Sequence, residues 1–202
     1  MFLLNEILVF TPGRRQEALD RLAWIHGLMA SKPGFRRAIV AKYLGDGTKH
    51  TVLRVWEDQD AFQRFREGPD GNYGKGRPEG LYTNEKVIPQ WESSSESRPA
   101  GAGDFLVKVE RQVPAEAMGA YDAYEKRLQQ IILGSNGRAG LWTFRTRDGG
   151  ESLFLARYPS RADFERLLES ADFAAGMQAM PAGVTRGPTQ CFEVVSEMLP
   201  PS

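Results

Sequence analysis

The 202-residue chain balances 26 Lys and Arg against 26 Asp and Glu, a neutrality that lacks the basic footprint of a nucleic-acid binder or a polybasic membrane binder. Its single Cys191 closes no intrachain disulfide, and His26 and His50, outside any HExxH or CxxC pattern, predict no metal site. No apolar run approaches the ~20 residues of a membrane span, and the opening Met1-Phe2-Leu3-Leu4-Asn5-Glu6 has no basic stretch and meets an acid early, so a cytoplasmic protein without a signal peptide is expected.

In chain order, residues 3–11 read as a strand ended by Pro12-Gly13. Residues 14–31 follow as a helix whose apolar stripe is Ala18, Leu22, Ile25 and Met29, and Pro33-Gly34 stops it. Residues 35–44 and 51–56 read as strands around a Gly45-Asp46-Gly47 turn. Asp58 is placed to cap a short helix over Ala61, Phe62 and Phe65. A Gly-rich loop then leads to a strand over residues 83–91.

The order then repeats. Residues 105–112 form a strand ending at Val113-Pro114, and the next helix carries Tyr121, Tyr124, Leu128 and Ile131 until Gly134-Ser135-Asn136-Gly137 stops it. Strands over 139–145 and 152–158 flank Asp148-Gly149-Gly150, one helix starts near Ser160, and residues 190–198 form the last strand. Pro12 and Pro114, Trp56 and Tyr158, and Phe62 and Phe164 are each 102 residues apart, the mark of a tandem duplication. The expected domains are 1–92 and 104–202, joined by a Ser-, Gly- and Pro-rich linker over 93–103. Two βαββαβ units predict an α+β, ferredoxin-like fold made twice.

Pro12-Gly13, Pro33-Gly34-Phe35 and Val55-Trp56 through Ala61-Phe62 together resemble the antibiotic biosynthesis monooxygenase domain. The first half matches almost end to end. The second matches more weakly, through Pro114, Gly137 and the Tyr158 to Phe164 block. In that family single-domain chains pair through their sheets into a dimeric α/β barrel. The resemblance therefore implies two halves docked as an intrachain pseudo-dimer, with a further homodimer open to it. Members of the family include cofactor-free oxygenases of polyketide or quinol-like aromatics, and haem-degrading enzymes.

The haem-degrading branch carries a strand Asn, a Trp and an axial His at positions occupied here by Glu6, Phe65 and Lys75. In the second half the same positions carry Lys108, Leu167 and Met177. Asn5 lies one residue from the expected Asn, a shift that reverses its face on a strand. His26 is the only substitute ligand. The resemblance thus implies a cofactor-independent monooxygenase acting on a small aromatic of phenol, quinol or polyketide type.

Asn5, Glu6 and His26 are the candidate catalytic residues: Asn5 to hydrogen-bond a phenolic oxygen, and Glu6 or His26 to accept its proton. Trp24, Trp56, Phe65 and Tyr73 are the candidate pocket residues, all in the first half, which keeps more of the motif. Two other readings stand beside this one: a non-catalytic module binding a small ligand or haem, and a structural or stress-response barrel. The Gly74-Lys75-Gly76-Arg77-Pro78-Glu79-Gly80 run lacks the Ser or Thr of a phosphate loop and reads as a loop over a pocket mouth.

Overall fold

The strand predicted over residues 3–11 forms over Phe2–Val9, and its Phe2, Leu4 and Leu8 turn to one side, where helices cover them. The structure is a computed structural model and describes residues 1–45, 47–83, 90–97, 103–136, 140–146 and 148–201. The chain forms two compact units, Met1–Glu92 with Val194–Ser202, and Ser93–Glu193.

The first unit contains β1 (Phe2–Val9), α1 (Arg15–Ala30), β2 (Phe35–Tyr43), β3 (Lys49–Trp56), α2 (Gln59–Glu67) and the start of β4 (Gln90–Ser97). The strand β1 lies between β3 and residues 90–92 of β4, and β3 pairs in turn with β2, all antiparallel. This order, β4–β1–β3–β2, is that of a split βαβ unit. Helix α1 buries the predicted stripe, Ala18, Leu22, Ile25 and Met29. Helix α2 is capped as expected, the Asp58 carboxylate accepting from the Ala61 N–H at 2.7 Å.

The motif glycine Gly34 is explained by packing. It adopts φ +82°, and a Cβ there would lie 2.5 Å from that of Ala61, so only glycine lets α2 close on the end of β2.

The second unit repeats the order with β5 (Phe105–Gln112), α3 (Met118–Asn136), β6 (Gly140–Arg145), β7 (Glu151–Tyr158), α4 (Arg161–Leu168), α5 (Ala171–Gln178), β8 (Thr185–Arg186) and the start of β9 (Gln190–Met198). Its strands run β9–β5–β7–β6, the same order as in the first unit. Both units are α+β and ferredoxin-like.

Two expectations need correction. Ile132, one residue beyond the predicted Ile131, is the one that α3 buries, because steps of three and four both keep a residue near the stripe. The single helix expected after Ser160 is two. Ser160 caps α4 through the Asp163 N–H, and Ser170 opens α5 by accepting from the Phe173 N–H at 3.1 Å.

Asp46, most of the strand expected over 83–91, Gly137 and the middle of the expected linker lie outside the described residues; Gln90–Ser97 is strand. Among the described residues no helix is long and apolar enough to cross a membrane.

Candidate functional site

Strand parity builds the site. On β1, Glu6 shares the helix-facing side with Leu4 and Leu8; on β3, Arg54 shares it with Val52 and Trp56. Leu4 faces Arg54 and Glu6 faces Val52, which makes Glu6 and Arg54 diagonal neighbours on that side. His26 on α1 comes down above them, among the buried Leu22, Ile25 and Met29. The apolar packing of the first unit is consequently interrupted: one cluster gathers around Trp56, Phe62 and Phe65, another around Leu8, Phe10 and Leu22. The second unit has one continuous cluster running from Phe105 to Val184.

Glu6, Arg54 and His26 are no more than 2% exposed. Arg54 Nη1 donates to Glu6 Oε2 at 2.7 Å, and Arg54 Nε donates to His26 Nε2 at 3.3 Å. Arg54 Nη2 is buried with no hydrogen-bond partner. Burial, and after it the Arg54 charge, push the His26 imidazole well below its ordinary value. It is therefore neutral, with its Nε2 lone pair turned to Arg54 and its proton on Nδ1.

A cavity of about 150 Å³ opens beside this trio. Glu6 and Arg54 form its buried floor, Arg21, Leu22 and Ile25 of α1 one wall, and Tyr73, Gly74, Arg77 and Tyr82 the rim. The glycine loop after α2 thus lies where a cover would. It is fastened there: Arg21 Nη2 donates to the Tyr73 and Lys75 carbonyls at 2.5 and 3.3 Å, Arg14 Nη1 to the Glu79 carbonyl at 2.6 Å, and Thr11 Oγ1 to the Gly80 carbonyl at 2.5 Å. Burial, and then the Glu6 charge, raise the Tyr82 phenol, which stays protonated and able to donate.

Of the candidate catalytic and pocket residues, only Glu6 and Tyr73 line this cavity, and Gly74 and Arg77 reach its rim from the run read as a loop over a pocket mouth. His26 reaches it through Arg54. Asn5 is buried on the opposite face of β1, where its Oδ1 accepts from Thr51 Oγ1 at 2.9 Å. Trp56 and Phe65 lie in the aromatic core, their rings stacked with centroids 5.3 Å apart. Trp24 is 48% exposed, with the Arg21 guanidinium 4.1 Å from its ring centroid. Arg54, Arg21 and Tyr82 were missed. For Arg54 the signal was present: it shares parity with Trp56 within the otherwise apolar run Val52–Trp56, so a buried charge was implied.

The strand register places Val109 and Ala156 where the first unit has Glu6 and Arg54; Lys108, expected at the place of Glu6, matches Asn5 on the opposite face, because β5 is offset by one residue from the 102-residue repeat. Lys108 pairs with Glu110 at 2.9 Å, and on the helix-covered face of β5 a cavity lined by Val107, Arg111, Leu128, Met177 and Arg186 measures only about 30 Å³. That is room for about one water.

The other histidine makes a pH prediction. His50 is buried, its ring stacked 3.9 Å from that of Phe10, and burial above all pushes its pKa down to about 4. Between about pH 6.5 and 4 the unfolded chain binds a proton there that the native state does not, so stability falls as pH falls through that window. His26 acts in the same direction. Urea unfolding across that range should show a loss of about 2–3 kcal/mol attributable to His50. His50→Phe should flatten the slope; an unchanged slope in that variant would refute the assignment.

The fold and site define a two-unit α+β protein with a polar, arginine-rich cavity in its first unit. Residues 1–70, within the first unit, match the family model described as antibiotic biosynthesis monooxygenase. Among solved structures, the chain is similar in fold to a proposed monooxygenase from Lactobacillus acidophilus at a TM-score of 0.78 and 10% identity, over 98% of this chain and 97% of that one. A proposed monooxygenase from Fusobacterium nucleatum gives a TM-score of 0.76 and 11% identity, over 98% and 94%. An anthrone oxidase-like protein gives 0.65 and 16%, over 100% and 93%. At these identities the likeness is one of fold. No curated protein matches the chain in sequence.

A haem-degrading enzyme from Listeria monocytogenes shares the fold at a TM-score of 0.54 and 10% identity. The residues here do not fit haem. Lys75 is exposed at the family's ligand position, and an ammonium must lose its proton before it can bind iron. His26 Nε2 already accepts the Arg54 N–H. Among the described residues no group of three or more His, Cys, Asp or Glu is placed to hold a metal ion.

Proposed function

We propose that the first unit is a cofactor-independent monooxygenase for a small, single-ring phenol or quinol held beside Glu6 and Arg54. The observation that supports this reading is the cavity itself, whose floor is a buried guanidinium with a free N–H next to a carboxylate. Its volume is close to that of an engineered apolar cavity of about 150 Å³ that accepts benzene. A purely structural role gives no reason for a cavity of this size beside the buried Glu6–Arg54 pair.

The chemistry follows from charge placement. A phenol lying on Arg54 can pass its proton to the Glu6 carboxylate. As that carboxylate is neutralised, the guanidinium exchanges one anion for another and the number of buried charges does not change. The Tyr82 hydroxyl can donate to the phenolate. His26 is a positioning residue that fixes Arg54 Nε. The phenolate then gives an electron to O₂, and the radical pair combines at a ring carbon. Loss of water leaves a quinone: phenol and O₂ yield quinone and H₂O, with the substrate itself as reductant.

Oxygen uptake in the presence of a chelator, with a panel of single-ring phenols and quinols, tests the reading. Turnover should appear with one ¹⁸O atom in the product, and Glu6→Gln should lower kcat by about 10²–10⁴-fold. Binding of these compounds with no uptake for any of them would instead mark a ligand-binding module.

A further inference from the structure

We infer that the ligand of this cavity carries a carboxylate as well as its ring hydroxyl, and that Arg21 and Arg77 hold that carboxylate at the rim. This deepens the function proposed above and rests on the same cavity. Among the described residues three arginines and one glutamate line it, an excess of two positive charges. Neither Arg21 nor Arg77 pairs with a carboxylate among the described residues. Arg21 spends one terminal nitrogen on two loop carbonyls and lies over the Trp24 ring, while its Nε is buried with no partner. Arg77 is at the solvent edge, 5.6 Å from the Tyr82 ring centroid.

Two guanidinium nitrogens, Arg21 Nε and Arg54 Nη2, therefore lie buried and unpartnered in residues lining one cavity. Leaving charged donors desolvated and unpaired is costly. A neutral phenol satisfies one of them and leaves the excess charge. A carboxylate matches the planar guanidinium fork and removes part of that charge. The exposure gradient sets the orientation: Arg54 is at the closed end beside the proton acceptor, and Arg77 is at the open end. The hydroxyl then points inward and the carboxylate outward across one ring, the geometry of a 4-hydroxybenzoate.

Calorimetric titration of the full chain with 4-hydroxybenzoate, its neutral analogue 4-hydroxybenzamide, and inorganic phosphate tests the assignment. The acid should bind at least about 10-fold more tightly than the amide at low salt, and the gap should narrow at high salt. Arg77→Gln, on the exposed rim and free of folding risk, should bring the ratio to about threefold or less; Arg64→Gln, on α2 and outside the cavity, should leave it as it is. Arg21→Gln should act like Arg77→Gln. Equal affinity for acid and amide overturns the inference, as does a ratio that survives Arg77→Gln, or phosphate binding as tightly as the acid. Acid-selective binding without oxygen uptake keeps this inference and overturns the oxygenase; uptake with phenols but no acid preference does the reverse.

Discussion

Arg54→Met should cost the first unit about 3–5 kcal/mol of stability, because it leaves the buried Glu6 carboxylate without its guanidinium. Glu6→Met should cost a similar amount, by leaving the buried guanidinium uncompensated. The double variant should recover most of that loss. A buried ion pair gains little over well-packed apolar side chains of similar volume, since desolvation of both charges offsets their attraction. Apolar clusters already lie on either side of the pair and can close over two methionines. All three variants should lose ligand binding and oxygen uptake. Urea unfolding beside a binding titration separates the two effects. A double variant that stays as unstable as either single one would show the pair to be a structural requirement, and the functional reading of the slot would lose its main support.

Much of the fold was legible because it rests on local rules. Proline-glycine steps, strand-like apolar runs and the Ala18–Leu22–Ile25–Met29 spacing are written in consecutive residues, and the 102-residue offset let one half check the other. The extra helix α5 was not legible, since the signal that opens it is one serine, Ser170, indistinguishable in sequence from a loop residue. The site was half legible. Glu6 and Arg54 declare themselves by parity, each a charge at a helix-facing position of a strand. Asn5 and Glu6 are adjacent and equally buried, and only the pleat tells which one meets the cavity. Arg21 and Arg77 come from a helix and a loop more than fifty residues apart, and the carbonyl bonds that bring the loop over α1 leave no mark in the sequence. Of the aromatic candidates Tyr73 lines the cavity while Trp56 and Phe65 pack in the core, since a tryptophan at the end of a strand is as well suited to a core.

Trp56 makes that last distinction measurable. It is fully buried, edge-on to Phe35 at 5.4 Å and stacked on Phe65 at 5.3 Å, and Phe65 in turn stacks on Tyr73 at 5.6 Å. Trp56→Ala should therefore cost about 3–5 kcal/mol, the loss of a large buried ring plus the void it leaves. Trp56→Phe should cost much less than the lost volume alone implies. The indole Nε1–H is buried with no hydrogen-bond partner, and phenylalanine removes that unsatisfied donor along with the extra ring. Trp24→Ala, at an exposed position, should change stability by no more than about 0.5 kcal/mol. Since Trp56 does not line the cavity, Trp56→Phe should alter Tm while the affinity for a bound phenol stays within about threefold of wild type. Thermal unfolding and titration of the same three variants check this. A Trp56→Phe protein of unchanged Tm whose phenol affinity falls by about 100-fold would move the tryptophan from the core to the substrate.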